Sequence, residues 1–545
     1  MRLGTPGQKI GICPKSAFEE RRLFLRVLGS ALGLAFEGRD AGDHLGLAGL
    51  LLFSDSASAL EASLTSGLSI LQFQVSGPEQ SCHTKTVKFA PSDALHAAFR
   101  GQTLSDSSLT RFWPLKKELG VLASIEDFPV WARERLGERS LYTFGIDLPA
   151  CFPDGFFYQF FQRTRWFAVL PLLIFLRECL PAPYWLKADA RASIIIDDPN
   201  LHRTKYGFID FANLVRHADQ HNYHASIATI PLDMWYTNLS AANTFRDNPK
   251  RLSLLLHGVN HTSNELAQEC SAEEASVTLA KGLGRVERFE RKSGLSVARV
   301  IAAPHGAFRE HFASAMSLFE FEGACVSLGS LLKWNPQRNW PADTGSSFVQ
   351  AMGIGSLPVF HRIGRSDIEI RLLSFLGHPL IVATHHQDCA MSYSEFERLA
   401  STINGISRTN WCSIQEIARS NYCAQQLGST LQVFLYSRHI SLRLPPGIRG
   451  LEFKSTPFCA RDIPISLDML EGKREQVVVD NLALRWDAVS NQLLVRSIVP
   501  LTLSHGEMSL PPGQWWPFLR RLLTEARDRT LPLIPSWWQS SYICQ

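Results

Sequence analysis

The order of apolar and polar positions divides the chain into three regions. From about 185 to 427 a short aliphatic run, a polar loop and an amphipathic stretch at helical spacing follow one another repeatedly. Strands are expected at 192–196, 224–230, 252–256, 298–302, 323–328 and 380–384, with helices at 207–221, 263–292 and 308–319. That alternation predicts parallel strands joined by helical crossovers, as a sheet or a closed barrel. Residues 1–180 combine strand-like runs at 10–13 and 47–53 with a helix at 18–34, then helical material through 156–179. They read as a small α/β layer with helices, ended by a linker at Leu180-Pro181-Ala182-Pro183, where two prolines keep the chain extended. Region 428–545 turns to short alternating runs at 432–436, 440–444, 451–453, 476–479 and 492–495, the pattern of a small antiparallel sandwich. Its tail, with Trp515-Trp516 and Trp537-Trp538, reads as a helix packed by its aromatics against core or interface rather than a sugar platform.

Composition narrows the class. With 45% hydrophobic and 19% charged residues over 545 positions, the chain is globular material for two to four domains. A formal charge of +4 gives no reason to expect a nucleic-acid partner. The first residues lack the apolar core of a secretion signal, and the longest apolar stretch, 167–176, contains Pro171 and is too short for a transmembrane segment. Eleven cysteines without a Cys-x-x-Cys fit a reducing compartment, so a cytoplasmic location is expected, with Cys389 and Cys412 as buried small hydrophobes.

The chemistry concentrates at the ends of the central strands. The run Ile194-Ile195-Ile196 ends in Asp197-Asp198-Pro199, and the run at 252–256 ends in His257-Gly258-Val259-Asn260-His261. One carboxylate with two imidazoles makes a three-ligand metal site with room for water, and the spare carboxylate can act as base. A His-x-x-x-His pair alone says little; His217 and His221, followed by His224, form another late in the first expected helix. A barrel places that end opposite its active face, so this trio is expected to be structural. Position carries the argument: Asp197-Asp198, His257, Pro304-His305-Gly306 and His385-His386 all follow expected strands. In a (β/α) barrel those strand ends converge on one face.

With these motifs, the central region resembles the polysaccharide deacetylase superfamily, the NodB-like carbohydrate esterases of family 4 type. Asp197-Asp198-Pro199 resembles the family's first motif and His257-Gly258-Val259-Asn260-His261 its second, while Ala302-Ala303-Pro304-His305-Gly306 partly resembles the third. Val382-Ala383-Thr384-His385-His386 stands in the place of the final motif, and Asn410-Trp411-Cys412-Ser413-Ile414 resembles the segment before the last helix. The resemblance covers about 240 residues. It implies a (β/α) barrel of the glycoside hydrolase/deacetylase type, flanked here by an N-terminal α/β region and a small C-terminal β-rich domain. It further implies a divalent metal, zinc in such folds, held by Asp198, His257 and His261, with Asp197 as general base. His385 or His386 would protonate the leaving group, and the backbone N–H after Pro304 would help to hold an oxyanion.

Three family positions differ, the first being the glycine that the family's first motif carries before the proline and that is missing before Pro199. The third motif's arginine is replaced by Ala302, so whatever orients Asp197 must come from elsewhere, with Arg203 and Lys205 nearby in sequence and Arg203 a candidate substrate contact. The tyrosine is replaced by His305. The leading expectation is metal-dependent deacetylation of a carbohydrate or sugar-linked intermediate, an intracellular one if the chain is cytoplasmic. Glycosidic cleavage would need a carboxylate pair, for which Asp197 and Asp388 are the candidates. The third reading is a non-catalytic, metal-containing protein that binds carbohydrate or a partner, with the C-terminal domain as a possible contact surface.

Overall fold

The computed structural model describes residues 8–32, 34–40, 42–54, 57–74, 76–116, 120–150, 156, 158, 160, 165–179, 185–186, 190–319, 321–340, 344, 352–354, 357–390, 392–454, 464–469, 474–478, 484–485, 492–497 and 515–533. The chain divides into two compact units. One is Met1–Tyr184 with Trp340–Phe348 and Ser366–Gly377; the other is Trp185–Asn339, Val349–Arg365 and His378–Gln545.

The first unit is built on a nine-stranded sheet. Its parallel part includes Lys9–Cys13 and Gly49–Leu52, in the region the sequence marked as strand, with helices Lys15–Glu20 and Arg22–Leu32 where one helix was expected. Val121–Ile125, Phe128–Leu136 and Arg139–Phe144 add an antiparallel half absent from the sequence reading. Their charged positions (Arg133-Glu134-Arg135) broke the apolar alternation that marks a strand. The apolar stretch with Pro171 lies in the buried helix Trp166–Cys179. Among the described residues no helix is long and apolar enough to cross a membrane.

The second unit contains a closed barrel of seven parallel strands: β1 Arg191–Asp197, β2 Ala225–Thr229, β3 Leu252–His257, β4 Val297–Ala302, β5 Gly323–Val326, β6 Leu357–Ile363 and β7 Leu380–His385. They pair in chain order, and β7 pairs with β1 to close the ring. Strands buried on both faces need unbroken apolar runs, as β1 shows with every residue buried. Ile195, Ala228, Leu255, Val300, Cys325, Phe360 and Ile381, one from each strand, pack into a single core cluster. Cys412 joins that cluster, and Cys389 is also buried.

Local signals set the connecting helices. Phe211–His221 is capped by Asp210, which accepts from the Asn213 N–H at 3.1 Å, and ends at a left-handed Asn222. Ala272–Ser293 opens with a Ser271/Glu274 capping box and ends at Gly294. Strand β6 was not expected from sequence, because Pro358, His361 and Arg362 interrupt its apolar run.

After the barrel, Thr430–Leu435 pairs antiparallel with Tyr422–Leu427 but parallel with Gly450–Lys454. A separate four-stranded antiparallel sheet joins His439–Arg443, Gln492–Ser497, Pro464–Met469 and Arg474–Val478 in that order. The β-rich region is therefore mixed, not purely antiparallel. The tail forms the expected helix, Trp515–Thr530, but Trp515 and Trp516 are 71% and 58% exposed. It is attached by ion pairs such as Arg521–Asp233 and by an edge-to-face contact of Phe518 with Trp235, while these two tryptophans stay exposed. Trp537-Trp538 lie outside the described residues.

Candidate metal centre

Asp197 is the last residue of β1, in register with His385 at the end of β7 and with Ala228 in β2. His257 ends β3, in register with Ala302 of β4. Barrel closure thus brings strand ends far apart in sequence onto one rim. Asp198 turns away from the strand at φ 85 and His261 sits at φ 57, both in the left-handed region, where Asp and His are tolerated better than bulky residues.

Asp198 Oδ1 lies 3.2 Å from His261 Nε2 and 3.8 Å from His257 Nε2. Zinc bonds of about 2.0–2.1 Å in a tetrahedron set neighbouring ligand atoms about 3.3 Å apart; the Asp198–His261 spacing matches this, the Asp198–His257 spacing is longer, and the three ligand atoms all lie within 4.8 Å of one another. His257 Nδ1 donates to the Ala302 carbonyl at 3.0 Å, which leaves Nε2 with its lone pair for an ion. Buried Asp198 Oδ1 has no hydrogen-bond partner among the described residues. An orphaned carboxylate oxygen facing two imidazole nitrogens fits a divalent cation.

The electrostatics agree with that donor set. Burial would raise the Asp198 carboxyl, but His257, His261 and Arg521 more than offset it and hold the group well below its usual range. Burial pushes His257 down, and burial with the neighbouring His257 pushes His261 down to about 3. Both rings are therefore neutral near pH 7, the form that ligates.

Asp197 stands beside the triad. Its Oδ2 accepts from Arg362 Nη2 at 2.8 Å, and both side chains are buried. Its Oδ1 is buried without a hydrogen-bond partner, 3.8 Å from His257 Nδ1. Burial alone would raise this carboxyl; Arg362, then His257 and His385, bring it below its ordinary value. The orienting guanidinium thus comes from β6, not from the residues near in sequence. Lys205 pairs with Asp210 at 3.0 Å, and Arg203 is exposed. Arg362 was missed because its strand was missed.

The loop from Gly258 to His261 is held by Glu265, the second residue that sequence reasoning overlooked. Its buried carboxylate accepts from the N–H groups of Val259 (2.8 Å), Asn260 (2.7 Å) and His261 (3.1 Å). Gly258, at φ 62, is required there. A Cβ would sit 2.6 Å from Glu265 Oε2 and 2.7 Å from Pro304 Cγ.

The two histidines of the final strand part company. His385 is largely exposed, with Nε2 3.8 Å from Asp197 Oδ2. His386 is fully buried, with Nε2 3.5 Å from Asp528 Oδ2 and its ring against Tyr206. His305, at φ 53 and exposed, brings its ring 5.2 Å from that of His261. The N–H of Gly306 is used by the Ala303 carbonyl, whereas among the described residues nothing accepts from the N–H of His305. Asp388 is engaged by the His385 N–H at 2.9 Å and by Arg365, which leaves it poorly placed as the second carboxylate of a glycosidase pair.

A second grouping, His217, His221 and Glu397, lies elsewhere on the barrel, with Glu397 exposed and His217 Nδ1 3.1 Å from the Tyr223 hydroxyl. His224 stands apart, buried between the Lys250 carbonyl (3.0 Å) and Ser253 Oγ (2.8 Å), a structural position.

No protein-family model matches the chain, and no curated protein matches it. Solved structures do. A CE4 family pseudoenzyme from Bacillus anthracis aligns at 16% identity over 45% of this chain and 71% of its own, with a TM-score of 0.27. A family 4 carbohydrate esterase from Streptomyces lividans, in complex with acetate, aligns at 11% identity over 43% and 97%, TM-score 0.26. The chitin deacetylase of the fungus Colletotrichum lindemuthianum aligns at 11% identity over 42% and 87%, TM-score 0.26. Alignments this distant carry no argument about activity, metal or substrate, which rests on the residues themselves.

Proposed function

We propose that this protein is a metal-dependent hydrolase that removes an acyl group, most simply acetyl, from a carbohydrate or sugar-linked substrate. One observation carries the reading: Asp198, His257 and His261 present converging unprotonated donor atoms beside a second buried carboxylate, Asp197, fixed by its own arginine. The carbohydrate class rests on the resemblance of the motif set, and zinc on the N/O donor set.

A divalent ion held by the triad would polarise the acyl oxygen and lower the pKa of water at the site. Asp197, kept ionised by Arg362, accepts the proton of the attacking water at its unpartnered Oδ1. The His305 N–H is free to donate to the oxyanion as the carbonyl becomes tetrahedral. His385, exposed beside Asp197, gives a proton to the departing amine or alcohol. Arg203 on the exposed loop after β1 is a candidate substrate contact.

Elemental analysis of the purified protein beside a His257→Ala/His261→Ala variant tests this. About one equivalent of zinc or another divalent ion, lost in the variant, supports the site and leads to acetylated sugars with Asp197→Asn as control. Absence of metal from both, even after reconstitution, refutes the hydrolase reading.

A further inference from the structure

The helix Trp515–Thr530 follows β7 by more than a hundred residues, yet its charged side chains reach the loops that carry the metal ligands. Arg520 Nη1 donates to the main-chain carbonyl of His261 at 2.8 Å. Arg521, 3% exposed, grips buried Asp233 after β2, with Nη2 at 2.7 Å and Nε at 3.2 Å from Oδ2. His202 bridges the Asp233 carbonyl (2.7 Å) and Glu525 (2.9 Å). Asp528 is buried; it accepts from the Tyr206 hydroxyl at 2.8 Å and faces His386 at 3.5 Å. Arg529 Nη2 donates to Asn200 Oδ1 at 2.9 Å.

Five residues within one ten-residue stretch of helix, 520–529, thus bind the loops after β1, β2 and β3 and the residue that follows β7. These segments bear Asp198 and His261 and adjoin His385. Helical spacing explains the pattern, since Glu525, Asp528 and Arg529 lie four, seven and eight positions after Arg521, along one face. His261 is the ligand most in need of support, because it sits on a loop beyond its strand in a left-handed conformation. A ligand that must be ordered at the moment of binding costs affinity, whereas one held in place beforehand does not.

We propose that this helix is part of the metal centre, with Arg520 and Arg521 as positioning residues that preorganise His261 and the second-strand loop for the ion. The inference rests on the metal-site reading above and assigns a role to residues that none of the strand-end motifs contains.

Zinc affinity of the full-length chain, measured by chelator competition, separates preorganisation from mere support of the fold. The variants are Arg520→Ala, Arg521→Lys and, as a control on the exposed side of the same helix, Leu523→Ala. The expected result is zinc binding about 10–100-fold weaker in Arg520→Ala, as for other residues that hold a ligand from behind. The metal-free Arg520→Ala protein should unfold at a temperature within the range set by wild type and Leu523→Ala. Arg521→Lys, which keeps the charge but loses the paired contact, should weaken zinc as well. Should it fail to fold, Arg520→Ala, which removes one bond at a half-buried position, still decides. Unchanged affinity in Arg520→Ala overturns the proposal, as does a loss matched by Leu523→Ala. Zinc binding by wild type with either of those outcomes leaves the metal-site reading standing; a wild type that binds neither zinc nor another divalent ion overturns both.

Discussion

Arg362→Met is the substitution that most directly probes the proposed role of Asp197 as base. It keeps the length and apolar volume of the side chain and deletes the cation 2.8 Å from Asp197 Oδ2, with both partners at or below 8% exposure. Removing one member of a buried pair strands the other charge, a loss of about 3–5 kcal/mol in comparable cases. The effect must depend on pH in a defined sense. Asp197 is depressed in the folded state, so its contribution is fully present above the unfolded carboxyl value near 3.9 and fades as pH falls through the lower folded value. The variant should therefore be destabilised most near pH 7, with the gap to wild type narrowing as pH falls from the variant's raised value through the depressed wild-type value, below which both proteins protonate the group. Without Arg362, burial dominates and the Asp197 carboxyl rises, so the acid limb of any hydrolytic activity should move to higher pH. Urea unfolding of metal-free protein from pH 3.5 to 7.5 reads the first effect, and a pH–rate profile the second. A penalty under about 1 kcal/mol at pH 7 with no pH dependence would mean that the pair is solvated and does not set the state of the base.

Three further outcomes are expected. Glu265→Gln leaves one acceptor oxygen for three backbone donors, so stability should fall by about 1–3 kcal/mol for each buried N–H left unpaired, with zinc affinity falling too; wild-type stability by urea unfolding would refute this. Gly258→Ala places a methyl into Glu265 and Pro304 at positive φ, and should lower the melting temperature by an overpacking cost of about 1–3 kcal/mol; no change would show that the loop yields freely. Buried His224 is pushed down to about 4, so between that value and the unfolded value near 6.5 the unfolded chain binds more protons. Stability should then fall as pH drops through this window, by on the order of 3 kcal/mol for this group, and His224→Gln should flatten that slope in calorimetric scans.

Much of the centre was legible in the chain itself. Continuous apolar runs ending in Asp197-Asp198 and in His257 announce buried parallel strands with polar tips, because a strand covered on both faces admits polar residues only at its ends. Order and strand-end position therefore sufficed to group Asp197, Asp198, His257 and His261 as candidates, which the barrel brings together at one rim. Other features depend on three dimensions. Arg362 neutralises Asp197 from a strand 165 residues away whose own polar residues disguised it. Glu265 acts through backbone N–H groups, which leave no trace in side-chain pattern. The choice between His385 and His386 turns on where β7 ends, since His385 closes the strand beside Asp197 while His386 opens the next turn and is buried against Asp528. The tail helix shows the boundary most sharply: its tryptophans suggested an aromatic contact, yet they stay exposed while Arg521 and Asp528 are buried. Sequence periodicity reports which face of an element seeks a neighbour. Only the closed barrel, by bringing distant strand ends within reach of one helix, decided which charges that neighbour would be.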